Sequence, residues 1–353
     1  MQAPQIRVGV IGCGYWGPKV IRNFHELPET TVAMVSDLDT NRLRQIQQTF
    51  PSIKVTTDYH EILRSADVDA VVVATPVSTH YAIARDALLS GKHVLVEKPL
   101  TNCSADAEEL VDLARSRDLR LMVGHVFEYS PAVRMLKQIV QDGELGDIYY
   151  FDLVRATLGL FQRDINVIWD LAPHDFSILR YVLGEEPFEV SATGEAYVQP
   201  GIHDVAYIKA QFPRSVQAHI RVSWLEPRKQ RRITVVGSKK MLVYDDVEAV
   251  EKIRLFDMGV EWPEPDRLGS GQLRYRYGDI VSPRISPVEP LQAECRHFAE
   301  SIRDGRDPQS DGVAGLRVVE LLEAADRSLH AGGEACDVRP EPSLVWLGQT
   351  RTA

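Results

Sequence analysis

The sequence predicts an α/β protein in two parts: a doubly wound parallel sheet, then an α+β part with an open, mainly antiparallel sheet. Three observations lead there. The chain of 353 residues is too long for one ordinary core. Up to about residue 125, apolar strand-length runs alternate with helical segments, the rhythm of a parallel sheet with crossover helices. Beyond about residue 142, strand-like segments follow one another through short connections, which favours antiparallel pairing. A division into residues 1–125 and 126–353 is therefore expected.

In the first part, strand cores lie at 6–11, 31–36, 70–74, 93–96 and 119–123, with a shorter strand near 54–55. Helices are expected at 40–50, 80–90 and 104–117. After a helix over 131–142, strands are expected at 148–157, 189–198, 205–212, 216–225, 233–236 and 241–244. One helix interrupts them, from about Asp170 to Leu183, with Gly184 as its stop. The stretch 258–290, rich in proline and glycine, reads as an extended excursion with room for one hairpin. Two amphipathic helices, 290–303 and 312–330, should close the chain by returning to the first part.

The first strand runs directly into Gly12-Cys13-Gly14-Tyr15-Trp16-Gly17, and Asp37 stands twenty residues beyond the last glycine, at the end of the second strand. This is the pattern of a Rossmann dinucleotide site. Gly12 permits the tight turn, Gly14 lets the backbone approach a pyrophosphate, and Gly17 lets the helix pack close to the sheet. The free amides at the start of that helix then hold the anion. Tyr15 and Trp16 lie in the same loop and are counted as cofactor contacts. An Asp at position 37 accepts from both hydroxyls of the adenine ribose and repels a 2′-phosphate, so NAD is expected rather than NADP. The alternative makes Asp37 a turn residue or the cap of the helix beginning near Thr40.

An apolar content of 44% with 25% charged residues is that of a soluble globular protein. No leading segment has the shape of a secretory signal and no apolar run approaches bilayer length, so a cytoplasmic protein with no membrane partner is expected. Cys13, Cys103, Cys295 and Cys336 are scattered without metal or redox spacing and read as reduced thiols. The net charge of −10 argues against non-specific binding to nucleic acid.

Three further clusters carry chemistry. Ala74-Thr75-Pro76 and the following Ser78-Thr79-His80 stand at the carboxyl end of a buried strand, where open α/β sheets bind ligands. Thr75, Pro76 and His80 are thus cofactor candidates; His80 could equally cap the helix it begins and is given no catalytic role. Glu97-Lys98-Pro99 follows another buried strand, placing Glu97 and Lys98 where the nicotinamide should lie. A lysine at the rim of an apolar pocket can hydrogen-bond a substrate oxygen and stabilise a developing alkoxide. The isomer of the Lys98-Pro99 bond cannot be read from sequence. Finally, Asp170 and His174 are four residues apart, so a helix beginning near Asp170 puts both on one face. The bland alternative makes Asp170 the N-cap and His174 an ordinary surface residue. A metal site of Asp170, His174 and Asp175 lacks a further ligand motif, and no metal is expected.

Together these four marks, in this order and spacing, resemble the Gfo/Idh/MocA family of nicotinamide-dependent oxidoreductases over nearly the whole chain. The resemblance implies an N-terminal Rossmann domain and a C-terminal α+β domain whose open sheet commonly serves as an oligomer interface, so a homo-oligomer, dimer or tetramer, is expected. It also implies hydride exchange between the nicotinamide and a carbinol carbon of a sugar-like ring. In that scheme His174 is the general base, Lys98 hydrogen-bonds the same oxygen, and Asp170 orients substrate and histidine. Gly14-Tyr15-Trp16-Gly17-Pro18, Asp170 to Asp175 and Ser223 to Lys229 are similar to the sugar-nucleotide branch. That similarity implies oxidation at C3 of a pyranose, or the reverse reduction.

Arg155, Arg163, Asn166, Arg228 and Lys229 are candidate substrate contacts, since cations in an acidic chain can grip a diphosphate or carboxylate. On a solvated sheet they could as readily be plain surface charge, and Arg231 and Arg232 read as strand-edge residues. His125 and Tyr129 follow the last strand of the first part, where they could meet nicotinamide or substrate. Two other readings stay open: an inositol or aminoglycoside dehydrogenase, and a non-enzymatic NAD-binding regulator of the same fold.

Overall fold

The computed structural model describes residues 5–262 and 273–339. Its first sheet is built from β1 (Ile6–Ile11), β2 (Thr30–Ser36), β3 (Lys54–Thr56), β4 (Ala70–Val73), β5 (His93–Glu97) and β6 (Leu121–Gly124). The order is β3-β2-β1-β4-β5-β6 and every pairing is parallel. Reversal of strand order between β1 and β4 opens the crevice in which such sheets bind dinucleotides. The connecting helices are α1 (Gly17–Glu26), α2 (Thr40–Thr49), α3 (Tyr59–Arg64), α4 (His80–Leu89) and α5 (Ser104–Ser116). Of these, α3 spans only six residues, too few for its apolar period to stand out in the sequence.

After α6 (Pro131–Gln141), β7 (Ile148–Ala156) enters the second sheet and α7 (Val167–Leu183) crosses its face. The hairpin-linked strands β8 (Glu189–Glu195), β9 (Val205–Gln211) and β10 (Gln217–Ser223) then fill one side of β7. On the other side come β11 (Gln230–Gly237), β12 (Met241–Asp245), β13 (Ile253–Glu261) and β14 (Arg274–Val281). A short β15 (Cys336–Asp337) pairs with β8. Pairing is antiparallel except between β7 and β10, which run parallel because a helical crossover separates them in sequence. The hairpin allowed for within 258–290 is β13–β14; residues 263–272 of that stretch lie outside the described residues.

Alternation sets the two faces of this sheet. Phe151, Leu153 and Arg155 of β7 turn toward α7 and are buried, whereas Tyr150 and Tyr207 of β9 are exposed on the opposite face. The final helices are α8 (Pro290–Asp304) and α9 (Gly312–His330). Helix α8 packs on α1, and α9 packs on α5 and β6 of the first part as well as α7 and β8 of the second. Glu323 of α9 even accepts from the Ser104 amide and hydroxyl at the start of α5. No helix among the described residues is long and apolar enough to cross a membrane.

Candidate active site

The turn between β1 and α1 is shaped for close approach. Gly12 has φ of 100°, a left-handed conformation that favours glycine, and a side chain there would strike the Ala74 carbonyl. A side chain on Gly17 would strike the Gly12 carbonyl, so α1 can lie against the turn only with glycine at its start. A Cβ on Gly14, by contrast, would meet nothing. Helix α1 has no side-chain cap and no acid in its first turn, which leaves its amides suited to an anion. Asp37 accepts from the Cys13 amide at 2.6 Å and the Asp39 amide at 2.8 Å, while Asp39 is the residue that caps α2. The carboxylate thus ties the glycine turn to the end of β2, and its remaining lone pairs fit ribose hydroxyls. These features fit a dinucleotide such as NAD.

At the end of β5, the Lys98–Pro99 peptide is cis. The His80 ring bridges the neighbouring loops, its Nδ1 at 2.9 Å from the Pro99 carbonyl and its Nε2 at 2.9 Å from that of Thr75. Lys98 Nζ donates to the Asp170 carbonyl at 2.6 Å and to Asp170 Oδ1 at 3.2 Å. The Asp170 Oδ2 atom accepts from Trp224 Nε1 at 3.0 Å, so an aspartate of α7 links the lysine of one sheet to a buried tryptophan of the other.

Helix α7 begins earlier than the sequence indicated. Asn166 is its N-cap, accepting from the Ile168 and Trp169 amides, which places Asp170 inside the helix rather than at its cap. One turn on, His174 is buried and its Nδ1 has no partner among the described residues. Its ring meets Phe127 edge-on at 5.0 Å between centroids. Burial, then the charges of Lys98, Arg155 and Arg231, hold the imidazole well below its usual pKa. A neutral imidazole beside a lysine ammonium can take a proton from a hydroxyl whose oxygen the ammonium holds.

The family described as an oxidoreductase family with an NAD-binding Rossmann fold matches residues 6–125, and the GFO/IDH/MocA C-terminal domain matches residues 133–243. The chain belongs to the Gfo/Idh/MocA family. Over 92% of its length it is 35% identical to the dTDP-3,4-didehydro-2,6-dideoxy-alpha-D-glucose 3-reductase of Streptomyces violaceoruber, of which it covers 96%. It is 28% identical to the myo-inositol 2-dehydrogenase of Thermotoga maritima, with 92% of the chain and 96% of the relative covered. The solved UDP-N-acetylglucosamine 3-dehydrogenase of Acidithiobacillus ferrooxidans superposes with a TM-score of 0.76 at 26% identity, covering 94% of this chain and 99% of that one. The protein is therefore an NAD-dependent oxidoreductase of this family, and the regulator reading falls away.

Within the Gfo/Idh/MocA frame, several sequence-based roles need correction. His80 is buried with both nitrogens directed at backbone carbonyls, so it braces the cofactor loops instead of meeting the cofactor. Asn166 accepts at the cap through its oxygen and donates from its amide to Asp326 at 2.7 Å, which ties the start of α7 to α9. Arg155 is no surface grip: it is buried, with Nε and Nη2 bound to Asp175 at 2.9–3.1 Å, and only Nη1 is left without a partner among the described residues. Asp170 binds Lys98 and Trp224, with no bond to His174 that would orient it. Arg231 is not at an edge, because β11 lies between β7 and β12.

The other candidates differ in their surroundings. Tyr15 is exposed with the Lys19 ammonium 3.4 Å above its ring, and Trp16 meets it edge-on. The Lys19 ammonium, then Arg231 and Lys229, lower the Tyr15 hydroxyl pKa. Arg228, Lys229, Arg163 and Pro76 are exposed. Thr75 receives a bond from the Thr79 hydroxyl at 2.7 Å. Burial pushes the Glu97 carboxyl up to about 7, against the pull of Lys98. His125 is buried with both ring nitrogens unpartnered among the described residues, and burial, Arg180 and Lys98 push it down to about 3. Tyr129, by contrast, is buried against Ser310.

Phe127 and Arg231 were missed as site residues. Alternation along β11 puts Arg231 on the face of Ile233 and Val235, a usable signal. Its position opposite Arg155 depends on register between strands far apart in sequence, which no local pattern carries.

Proposed function

We propose that the protein is an NAD-dependent dehydrogenase that oxidises a ring hydroxyl, at C3, of a nucleotide-linked or amino sugar, or runs the reverse reduction. The observation that carries this reading is the meeting of Lys98, from the end of β5, with Asp170 on the α7 turn before His174. When bound, NAD supplies the two-electron acceptor for the carbinol hydride. His174 accepts the hydroxyl proton, and Lys98 holds the oxygen and stabilises its developing negative charge. Asp170, fixed by Trp224, keeps the ammonium in place. The two sugar-nucleotide relatives named above both act, by name, at position 3, which supports that regiochemistry.

We also assign residues 1–125 to cofactor binding and 126–353 to substrate binding and assembly. The sheet face bearing Tyr150 and Tyr207 is the proposed contact of a homo-oligomer, which light scattering after gel filtration tests. The catalytic reading is tested by an absorbance screen for NADH formation with UDP-sugars, amino sugars, inositols and sugar phosphates. A sugar nucleotide is expected to give the highest kcat/KM. Preference for a free inositol would overturn the substrate assignment and leave the redox chemistry standing.

A further inference from the structure

A general base works only when its ring is held at the angle that meets the hydroxyl, and a third group commonly does the holding. No carboxylate holds His174. Asp170 is bound to Lys98 and Trp224, Asp175 is bound to Arg155, and Nδ1 of the imidazole has no partner among the described residues. What meets the imidazole is Phe127, at 5.0 Å between centroids and 72° between planes, the edge-to-face geometry that aromatic rings prefer. Phe127 lies in the turn Val126–Tyr129 after β6, closed by the Glu128 amide on the His125 carbonyl and the Ser130 amide on the Phe127 carbonyl, each at 3.0 Å. Gln309 fastens the turn again by donating to the Glu128 carboxyl at 3.1 Å. Two guanidinium groups lie over the same ring, Arg155 at 4.6 Å and Arg231 at 5.7 Å from its centroid. A side chain serving only to fill the core would not be expected between an imidazole and two cations, and Phe127 is only partly buried.

We infer that Phe127 is a positioning residue of the proton-transfer step, its ring fixing the plane of the His174 imidazole and keeping the two guanidinium groups stacked over itself. The inference rests on the dehydrogenase reading and adds a residue that acts through His174. A ring suits this place better than an acid. A carboxylate on Nδ1 would raise the proton affinity of the base, whereas an aromatic edge or face holds the plane and leaves the imidazole neutral. Phe127 follows a strand of the first sheet and His174 lies on the helix crossing the second. The contact therefore aligns the base with the sheet that holds the cofactor, beside the link that Lys98 makes to Asp170.

Phe127→Leu removes the ring and keeps an apolar side chain, and Phe127→Tyr keeps the ring. Phe127→Met, a second ringless side chain, is read in parallel in case the leucine variant does not fold. Each is compared with wild type for kcat and KM against pH on the best sugar of the screen, and for NADH affinity by fluorescence. Exchange of imidazole C2 hydrogens for deuterium, resolved at His174 by peptide mass spectrometry, reports its titration midpoint without turnover. The ringless variants should lose about 10–100-fold in kcat, with KM and NADH affinity unchanged. Burial is the largest cause holding His174 below its usual pKa, followed by the charges of Lys98, Arg155, Arg231 and His125. A smaller side chain admits water, so the midpoint and the acid limb of kcat should both rise toward 6.5. Phe127→Tyr should restore both. A loss confined to KM, an unmoved His174 midpoint, or equal damage in Phe127→Tyr would overturn the positioning role. A midpoint that moves in the ringless variants while wild type forms no NADH from any sugar would uphold the hold of Phe127 on His174 and contradict the dehydrogenase reading.

Discussion

The six-stranded sheet shapes its part of the site mainly with backbone, whereas the nine-stranded sheet shapes its part with side chains. On the first, glycines 12, 14 and 17 set the turn, Asp37 accepts from two amides, and His80 meets two carbonyls. On the second, Asp170 meets Trp224, Arg155 meets Asp175, and His174 and two arginines lie against Phe127, which follows β6. A dinucleotide presents the same pyrophosphate wherever it is bound, so backbone amides suffice to hold it. A substrate that differs from enzyme to enzyme calls for side chains, which can change without disturbing the sheet that carries them.

The largest expected effects fall where the two halves meet. Lys98→Ala and His174→Ala should each lower kcat by roughly 10²–10⁴-fold while NADH affinity, read by fluorescence, is retained. Loss of NADH affinity in His174→Ala would break the division of labour between the sheets. Because burial keeps His174 neutral, the acid limb of kcat/KM for oxidation is expected below pH 6.5.

Next comes stability, and here the side-chain half should be the more sensitive. Replacing Arg155 by Met leaves Asp175 buried without its partner, a cost of about 3–5 kcal/mol. The paired variant Arg155→Met with Asp175→Leu should recover most of it, as measured by denaturant unfolding. A single variant as stable as wild type would show that the pair does not hold α7 to β7.

Backbone-centred recognition predicts a smaller effect at position 37. Asp37→Ala should reduce the preference for NAD over NADP by about tenfold in kcat/KM, the scale of one lost charge-assisted contact. A wild-type preference for NADP would contradict the ribose assignment.

An effect of similar size concerns Glu128, which follows β6. Burial raises its carboxyl from 4.5 to about 7, with Gln309 and Arg180 opposing. The folded chain therefore binds more protons than the unfolded chain between those values. The stability associated with this group is full below pH 4.5 and fades as pH rises to about 7. His174 has the opposite sign: its folded pKa is lowered, so its contribution is complete above 6.5 and is lost as pH falls. Glu128→Gln should gain on the order of 1–3 kcal/mol at pH 8 and nothing at pH 4. An equal gain at both pH values would mean that packing, not the proton, is responsible.

The same contrast explains what could be read from sequence. The glycine turn, Asp37 and the strand-to-loop positions of Thr75 and Lys98 are local patterns, visible because a few consecutive residues fix them. The strands of the second sheet could also be located by alternation. What joins them could not: the parallel β7–β10 pairing, the facing of Arg231 with Arg155, and the capture of Asp170 by Trp224 are long-range facts. The capping role of Asn166 was hidden because it depends on where α7 begins, three residues before Asp170. Helix boundaries shift easily by that much when a stronger cap lies upstream.

The central claim is that an ammonium from one sheet and an imidazole on the helix crossing the other act as a unit on a single hydroxyl. Single-turnover NADH formation in Lys98→Ala, His174→Ala and the double variant tests it most directly. The double variant is expected to be about as slow as the slower single variant, because either loss disables the same step. Penalties that multiply in the double variant, or near-normal turnover in either single one, would contradict it.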